Sequence, residues 1–186
     1  MTGFQHGISR RGLITLGLIT ALAGAVPLDA LGALRKSMAP ARSLSLYNAH
    51  TGEKLRTTYW CQGKYVADAL TDINRLLRDH RTGDVKKIDV SLLDLLYVLR
   101  GELDSRQPFH IISGYRSIKT NNQLRKHTRG VAKSSLHTSG MAVDLYLPDR
   151  QLKTLRTAAV SLKRGGVGYY PNSGFVHVDV GKVRYW

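Results

Sequence analysis

The chain has 186 residues and a formal net charge of +15, from 28 Lys and Arg against 13 Asp and Glu. Its single cysteine excludes an internal disulfide and a cysteine-based metal site. The basic residues are spread without a dominant run, which favours solvated faces and an anionic partner such as a carboxylate-rich polymer, and we expect no nucleic-acid partner.

Residues 1–33 are predicted to be an export signal. Ser9-Arg-Arg-Gly-Leu-Ile-Thr15 precedes a mildly apolar run over 16–26, a pattern typical of twin-arginine signals. An ordinary secretion signal or an uncleaved anchor stays open as an alternative. The run is shorter than the roughly 20 residues that span a bilayer, so we expect membrane contact only through the signal. Residues 34–42 then form a linker, and 43–186 a single periplasmic domain.

The first half of this domain predicts a hairpin and two helices. Two strands, Leu44 to Asn48 and Lys54 to Trp60, are separated by a Thr-Gly turn signal. Apolar residues at helical spacing predict a helix from Val66 to Leu77. A second helix, with its apolar stripe from Leu92 to Leu99, is predicted to begin after Asp89 as N-cap.

The second half alternates strands with short helices. Phe109 to Ser113 predicts a strand, Lys119 to Lys126 a short helix, and Asp149 to Lys163 a longer helix capped by Asp149. The glycine-rich segment from Gly165 to Pro171 is interpreted as a loop and strand edge where small residues let a substrate approach, with Tyr170 as a possible wall, or as a purely structural turn. The fold class predicted is α+β, with a small antiparallel sheet packed with helices.

Two further strands, over 142–147 and 175–179, carry ionisable side chains at positions that alternate with aliphatic ones. Asp144 in the first strand, and His177 and Asp179 in the second, therefore project away from the core face. If the strands pair, Asp144 and His177 can lie opposite each other while a turn folds His137 over them. Two imidazoles and a carboxylate bind zinc with one position left free for catalysis. An ordinary solvated strand face is the alternative.

Arg116 is the candidate for binding an anion. It follows the strand Phe109-His-Ile-Ile-Ser-Gly-Tyr, where a glycine turn would place it to bind a substrate carboxylate or a developing oxyanion. Taken alone, an arginine here is more often a surface charge. His110 is a weaker site candidate, because a strand histidine is more often satisfied within the core.

Taken together, these motifs resemble the D-Ala-D-Ala metallopeptidase family of the LAS superfamily, and within it the murein endopeptidase K branch. The resemblance is carried by Ser113-Gly-Tyr-Arg116, by His137 through Asp144, and by Phe175 to Asp179. It implies a hedgehog/DD-peptidase-like fold and a zinc peptidase that acts on peptidoglycan stem peptides. It also implies His137, Asp144 and His177 as zinc ligands and Arg116 as an electrophilic or substrate-binding group. We expect a monomer.

One position departs from the pattern of many relatives. They have a general-base glutamate three residues before the last zinc histidine, where this chain has Gly174. Asp179 is the nearest acid, and it could handle the catalytic proton or hold the His177 imidazole in its tautomer. The exchange of roles, with Asp179 as ligand and His177 as acid or base, stays open because both share a strand face.

The expected function is cleavage of stem-peptide cross-links by a murein endopeptidase. The specific bond comes from the resemblance and not from the residues. A carboxypeptidase that removes terminal D-Ala, or a non-catalytic zinc-binding cell-wall module, is the alternative.

Overall fold

A computed structural model describes residues 40–127 and 132–186. The predicted export signal and most of the predicted linker lie outside these residues. In the part of the chain that is described, no helix is long and apolar enough to cross a membrane.

Eight strands of the described residues form one sheet in the order β3-β2-β1-β4-β5-β7-β6-β8. The strands are β1 (Arg42–Asn48), β2 (Lys54–Cys61), β3 (Lys64–Tyr65), β4 (Phe109–Ser113), β5 (Ala142–Tyr146), β6 (Gly166–Tyr170), β7 (Phe175–Asp179) and β8 (Arg184–Tyr185). The α+β class is confirmed, but the expectation of a small antiparallel sheet is wrong. β1 pairs with β4 and β6 with β8 in parallel, because the chain crosses over between them and a strand's own pattern does not reveal its neighbour.

Four helices longer than a single turn occur in the described residues: α1 (Ala67–Leu76), α2 (Val90–Glu102), α3 (Ile118–His127) and α4 (Leu152–Ser161). The predicted cap of α2 is confirmed, because the Asp89 side chain accepts a hydrogen bond from the Ser91 backbone N–H. The predicted cap of α4 is wrong. Asp149 instead accepts from the Ser105 hydroxyl and pairs with Arg150, so the helix begins three residues later than predicted.

The core lies on one face of the sheet. Helices α1, α2 and α4 bury their aliphatic stripes against the alternate aliphatic residues of the central strands, including Leu46, Ile111, Val143 and Val178. Each fully buried side chain of this kind contributes about 1.5–3 kcal/mol. The pleat therefore turns the intervening positions of β4, β5 and β7 toward the opposite face, which carries the polar groups.

The glycine-rich segment is the paired strand β6, between β7 and β8, and its interpretation as a loop is wrong. Its glycines make room for side chains of the same protein. A Cβ on Gly166 would lie 2.5 Å from both Arg184 Nη1 and Asp179 Oδ2, and a Cβ on Gly168 would lie 2.7 Å from Trp186 Cε2. Small residues are needed here because Arg184 and Trp186 cover the strand.

Candidate metal centre

The pairing of β5 with β7 brings the predicted site residues together. In this antiparallel register Asp144 lies directly opposite His177, as the alternation of the two strands predicted. His137 comes from a short 3-10 helix, Leu136–Ser139, which ends at Gly140 with φ 70° in the left-handed region. That turn leads straight into β5 and folds His137 over the start of the strand.

Three side-chain atoms converge at this point. Asp144 Oδ1 lies 2.8 Å from His177 Nδ1 and 3.3 Å from His137 Nε2, and the two ring nitrogens are 3.2 Å apart. All three residues are buried. In the described residues these three form a cluster of candidate ligand atoms that lie within 4.8 Å of one another.

Hydrogen bonds on the far side of each imidazole determine which nitrogen faces the cluster. His137 Nδ1 donates to the Gly114 carbonyl at 2.8 Å, and His177 Nε2 donates to Asp179 Oδ2 at 3.0 Å. The opposite ring nitrogens are then lone-pair acceptors that point at the Asp144 carboxylate. In this tautomer three acceptor atoms meet, and a cation bound between them would stabilise the arrangement. A set of two imidazoles and one carboxylate, with supporting bonds behind both rings, fits zinc.

The charges of the cluster agree with this arrangement. Burial acts to raise the pKa of Asp144, but the neighbouring His137 and His177 imidazoles outweigh it and hold the pKa well below its usual range. Burial likewise acts to lower the pKa of His177, yet the two neighbouring carboxylates, Asp144 and Asp179, raise it overall. The site thus keeps a carboxylate ionised in a buried position, which is favourable beside a cation.

Asp179 lies behind His177 and outside the three-residue cluster. Its side chain is 0% exposed. Besides the bond from His177, the carboxylate accepts four hydrogen bonds, from Gly166 N at 3.0 Å, from Gly181 N at 2.8 Å and from the Arg184 guanidinium at 2.6 and 3.1 Å. Burial acts to raise its pKa, but the bonds from His177 and Arg184 outweigh it and keep the pKa low. A carboxylate saturated in this way suits the orientation of a ligand imidazole.

Arg116 lies at the edge of the cluster, with its side chain 12% exposed. Its Nη2 is 3.6 Å from Asp144 Oδ2 and donates to the Ser113 hydroxyl at 3.3 Å. Burial lowers the pKa of Arg116, and the charge of Asp144 opposes that effect. Among the described residues Arg116 Nη1 makes no hydrogen bond, so the guanidinium keeps a donor for a substrate oxygen.

The segment that carries Arg116 is held by a loop which follows α1. Tyr115 N donates to the Leu77 carbonyl at 2.7 Å, and Ser117 N donates to the buried carboxylate of Asp79 at 2.9 Å. A Cβ on Gly114 would lie 2.5 Å from the same Leu77 carbonyl, so only glycine fits at this approach. Asp79 could not be recognised from the sequence, because a single acid in a polar segment shows no sign of burial.

Two other predicted positions take no part in the cluster. His110 is on the same face of the sheet, but its Nδ1 hydrogen-bonds the Tyr146 hydroxyl at 2.9 Å. Gly174 occupies a left-handed turn with φ 75° between β6 and β7. As a glycine it offers no carboxylate at the position where many relatives have glutamate.

The sequence analysis also missed Arg184 and Trp186, which lie over β6 beside the cluster. A signal was present, because Gly166 and Gly168 are two residues apart, as are Arg184 and Trp186. Matching small and large residues at period two indicates neighbouring strands on one face.

Comparisons with known proteins find relatives over nearly the whole chain. A family model described as "Peptidoglycan L,D-endopeptidase MepK" matches residues 36–186. The peptidoglycan L,D-endopeptidase MepK of Escherichia coli (strain K12) is 44% identical over 178 residues, which cover 96% of this chain and 97% of the relative. The probable peptidoglycan L,D-endopeptidase MepK of Haemophilus influenzae is 40% identical over 146 residues, with 78% of each chain covered.

Proposed function

The chain belongs to the peptidoglycan L,D-endopeptidase MepK family, and on that basis we propose that it is a zinc-dependent hydrolase that cuts an L,D peptide bond within stem-peptide cross-links. This membership confirms the resemblance to the D-Ala-D-Ala metallopeptidases. The observation that carries the proposal is the convergence of His137, Asp144 and His177, each of which offers a ligand atom within 4.8 Å of the others.

The proposed metal would be held by His137 Nε2, His177 Nδ1 and Asp144 Oδ1. When bound there, zinc supplies a Lewis acid that activates water near neutral pH and polarises a carbonyl. The set contains three protein ligands, which is the number typical of catalytic zinc sites, whereas structural sites are closed by four. This count supports catalysis over a non-catalytic cell-wall module.

Two charged residues support the reaction in different ways. Arg116 is proposed to bind the developing oxyanion or a carboxylate next to the scissile bond, using the donor that its contacts with Asp144 and Ser113 leave free. Asp179 is proposed as a positioning residue. Its bond to His177 Nε2 keeps the lone pair of Nδ1 directed at the metal, and its burial keeps it from direct contact with a substrate.

The test uses a cross-linked muropeptide dimer of known linkage, incubated with metal-loaded and with chelated protein. Mass spectrometry of the products identifies the bond that is cut. Metal-dependent conversion of an L,D cross-link to monomers supports the proposal. Release of a terminal D-Ala alone would indicate the carboxypeptidase, and binding without cleavage would indicate the non-catalytic module.

We also propose that the protein reaches the periplasm by the twin-arginine route, because peptidoglycan lies there and Arg10 and Arg11 precede an apolar run. Replacing both arginines by lysine keeps the charge and the apolar run, so an ordinary secretion signal should still work. Under the twin-arginine route, which recognises the arginine pair itself, the precursor of this variant should be retained in the cytoplasm on fractionation. Unchanged periplasmic yield would contradict this route.

A further inference from the structure

Trp186 is a large aromatic side chain that remains 45% exposed beside the metal centre. Its ring centroid lies 5.3 Å from that of His177. The indole covers Gly168, the β6 residue that pairs with His177 across the sheet. One face of the indole therefore packs against β6, and another part of its surface is exposed to solvent next to His177, a proposed metal ligand.

The position of Trp186 is fixed by its backbone. Trp186 N donates to the Val167 carbonyl at 3.2 Å, and its own carbonyl accepts from Tyr169 N at 2.9 Å. These two bonds hold the residue against β6 on either side of Gly168. The indole is thus pre-organised, so a ligand that packs on it has little side-chain entropy to overcome.

Tyr170 extends the same surface. Trp186 Nε1 donates to the Tyr170 hydroxyl oxygen at 2.7 Å, and the Tyr170 ring stacks on Phe175 with centroids 4.7 Å apart. Since the tyrosine oxygen accepts this bond, its own O–H is free to donate, and it has no acceptor among the described residues. We refer to Trp186 and Tyr170 as the aromatic wall.

We propose that the aromatic wall binds the substrate residue that adjoins the scissile bond. In this subsite the indole of Trp186 covers the aliphatic carbons of that residue, and the Tyr170 hydroxyl donates to one of its carbonyl or carboxylate oxygens. The inference rests on the proposed function for the identity of the ligand, a stem peptide. An exposed aromatic group paired with a free donor is the composition expected of a binding site that is apolar with few polar contacts.

The competing explanation is that Trp186 only shields the bond between His177 and Asp179 from water. That role needs a covered ring, and it predicts no response of the indole to a substrate. It also predicts that loss of the ring weakens metal binding. Burial of Asp179 does not depend on the indole alone, because Arg184 and the backbone of Gly166 and Gly181 contact it directly.

Tryptophan fluorescence separates the two explanations. The chain has two tryptophans, and Trp60 lies on β2 under the Arg42 guanidinium, three strands from β5 in the sheet. In a Trp60→Phe variant the emission reports Trp186 alone. We expect a saturable change in emission when the chelated protein, which cannot turn over, is titrated with a cross-linked muropeptide dimer. The same dimer after complete cleavage is the ligand control.

Kinetics of the metal-loaded protein provide the second measurement. Trp186→Leu should raise KM about tenfold or more, the range for truncation of an aromatic anchor, with kcat and metal affinity close to wild type. Tyr170→Phe should raise KM as well. Should Trp186→Leu fail to fold, Gly168→Ala displaces the indole while keeping it in the chain, because the added Cβ would lie within 2.8 Å of three indole atoms.

The outcomes distinguish this inference from the proposed function. No emission change, together with an unaltered KM in Trp186→Leu, would overturn the aromatic wall while leaving the hydrolase intact. Loss of metal affinity with an unaltered KM would overturn it in favour of a shield. A saturable emission change in a protein that cleaves nothing would retain the wall and refute the proposed function.

Discussion

Replacement of Asp179 by Asn tests how the centre keeps His177 ready to bind metal. The amide oxygen can still accept from Gly166 N and Gly181 N, which both bond Oδ1. The amide nitrogen then stands where Oδ2 accepted from His177 Nε2 and Arg184 Nη2. The hydrogens of the Asn amide would then face the N–H groups of His177 and Arg184, with no acceptor between them. The imidazole can relieve this by moving its proton to Nδ1, but Nδ1 then has no lone pair for the metal.

We expect the affinity for zinc to fall about 10–100-fold, the range found for partners that orient a ligand imidazole. This corresponds to about 1.4–2.8 kcal/mol of binding free energy. The metal-free protein should also lose roughly 1–2 kcal/mol of unfolding free energy, since the tautomer change restores the bond to His177 but the bond from Arg184 Nη2, at a side chain that is 44% exposed, is lost.

Competition with a chromogenic chelator at fixed pH measures the affinity, and denaturant unfolding measures the stability. Asp149→Asn is the matched control, because Asp149 is also a hydrogen-bonded and ion-paired carboxylate, bound to Ser105 and Arg150, but it is not part of the centre. It should keep wild-type affinity. If Asp179→Asn bound zinc normally yet lost cleavage, the reasoning would be refuted and Asp179 would be the proton-handling group.

Three further predictions concern the ligand set, Arg116 and His80. His137→Ala should abolish zinc binding in elemental analysis. The control His110→Ala, on the same sheet face but outside the cluster, should keep one zinc per chain. Equal zinc occupancy in the two variants would contradict the ligand assignment. Arg116→Met should retain zinc and lower kcat about 10²–10³-fold, and an unchanged kcat would remove Arg116 from the reaction. Burial beside His50 lowers the pKa of His80 to about 4, so the folded state disfavours its protonation and stability should fall as pH drops from 6.5 to 4. His80→Asn should flatten that dependence in unfolding experiments, and parallel curves would contradict it.

Local patterns were enough to predict that His137, Asp144 and His177 converge. Asp144 and His177 were identified because period-two alternation assigns each residue to a face from its immediate neighbours. The turn at Gly140 placed His137 beside them for the same reason, since a left-handed turn is a local property. The structure brings these three residues together as expected.

Features that depend on distant segments were not predicted. The parallel pairing of β1 with β4 joins strands that are separated by two helices, and nothing in either strand specifies it. Asp149 resembled a helix cap, but a hydroxyl 44 positions away in the chain competed for its carboxylate. The glycines of β6 were interpreted as a loop and strand edge, because nothing near them in the chain indicates that Arg184 and Trp186 pack over them.

Digestion of purified sacculi is the decisive test for a metal-dependent endopeptidase. Metal-free protein, zinc-reconstituted protein and the zinc-treated His137→Ala variant are incubated with sacculi, and the released muropeptides are separated and identified by mass. We predict that cross-linked species fall and new cleavage products rise only with the zinc-reconstituted wild type. Equal cleavage by the chelated protein or by His137→Ala would contradict a metal-dependent endopeptidase built on this centre.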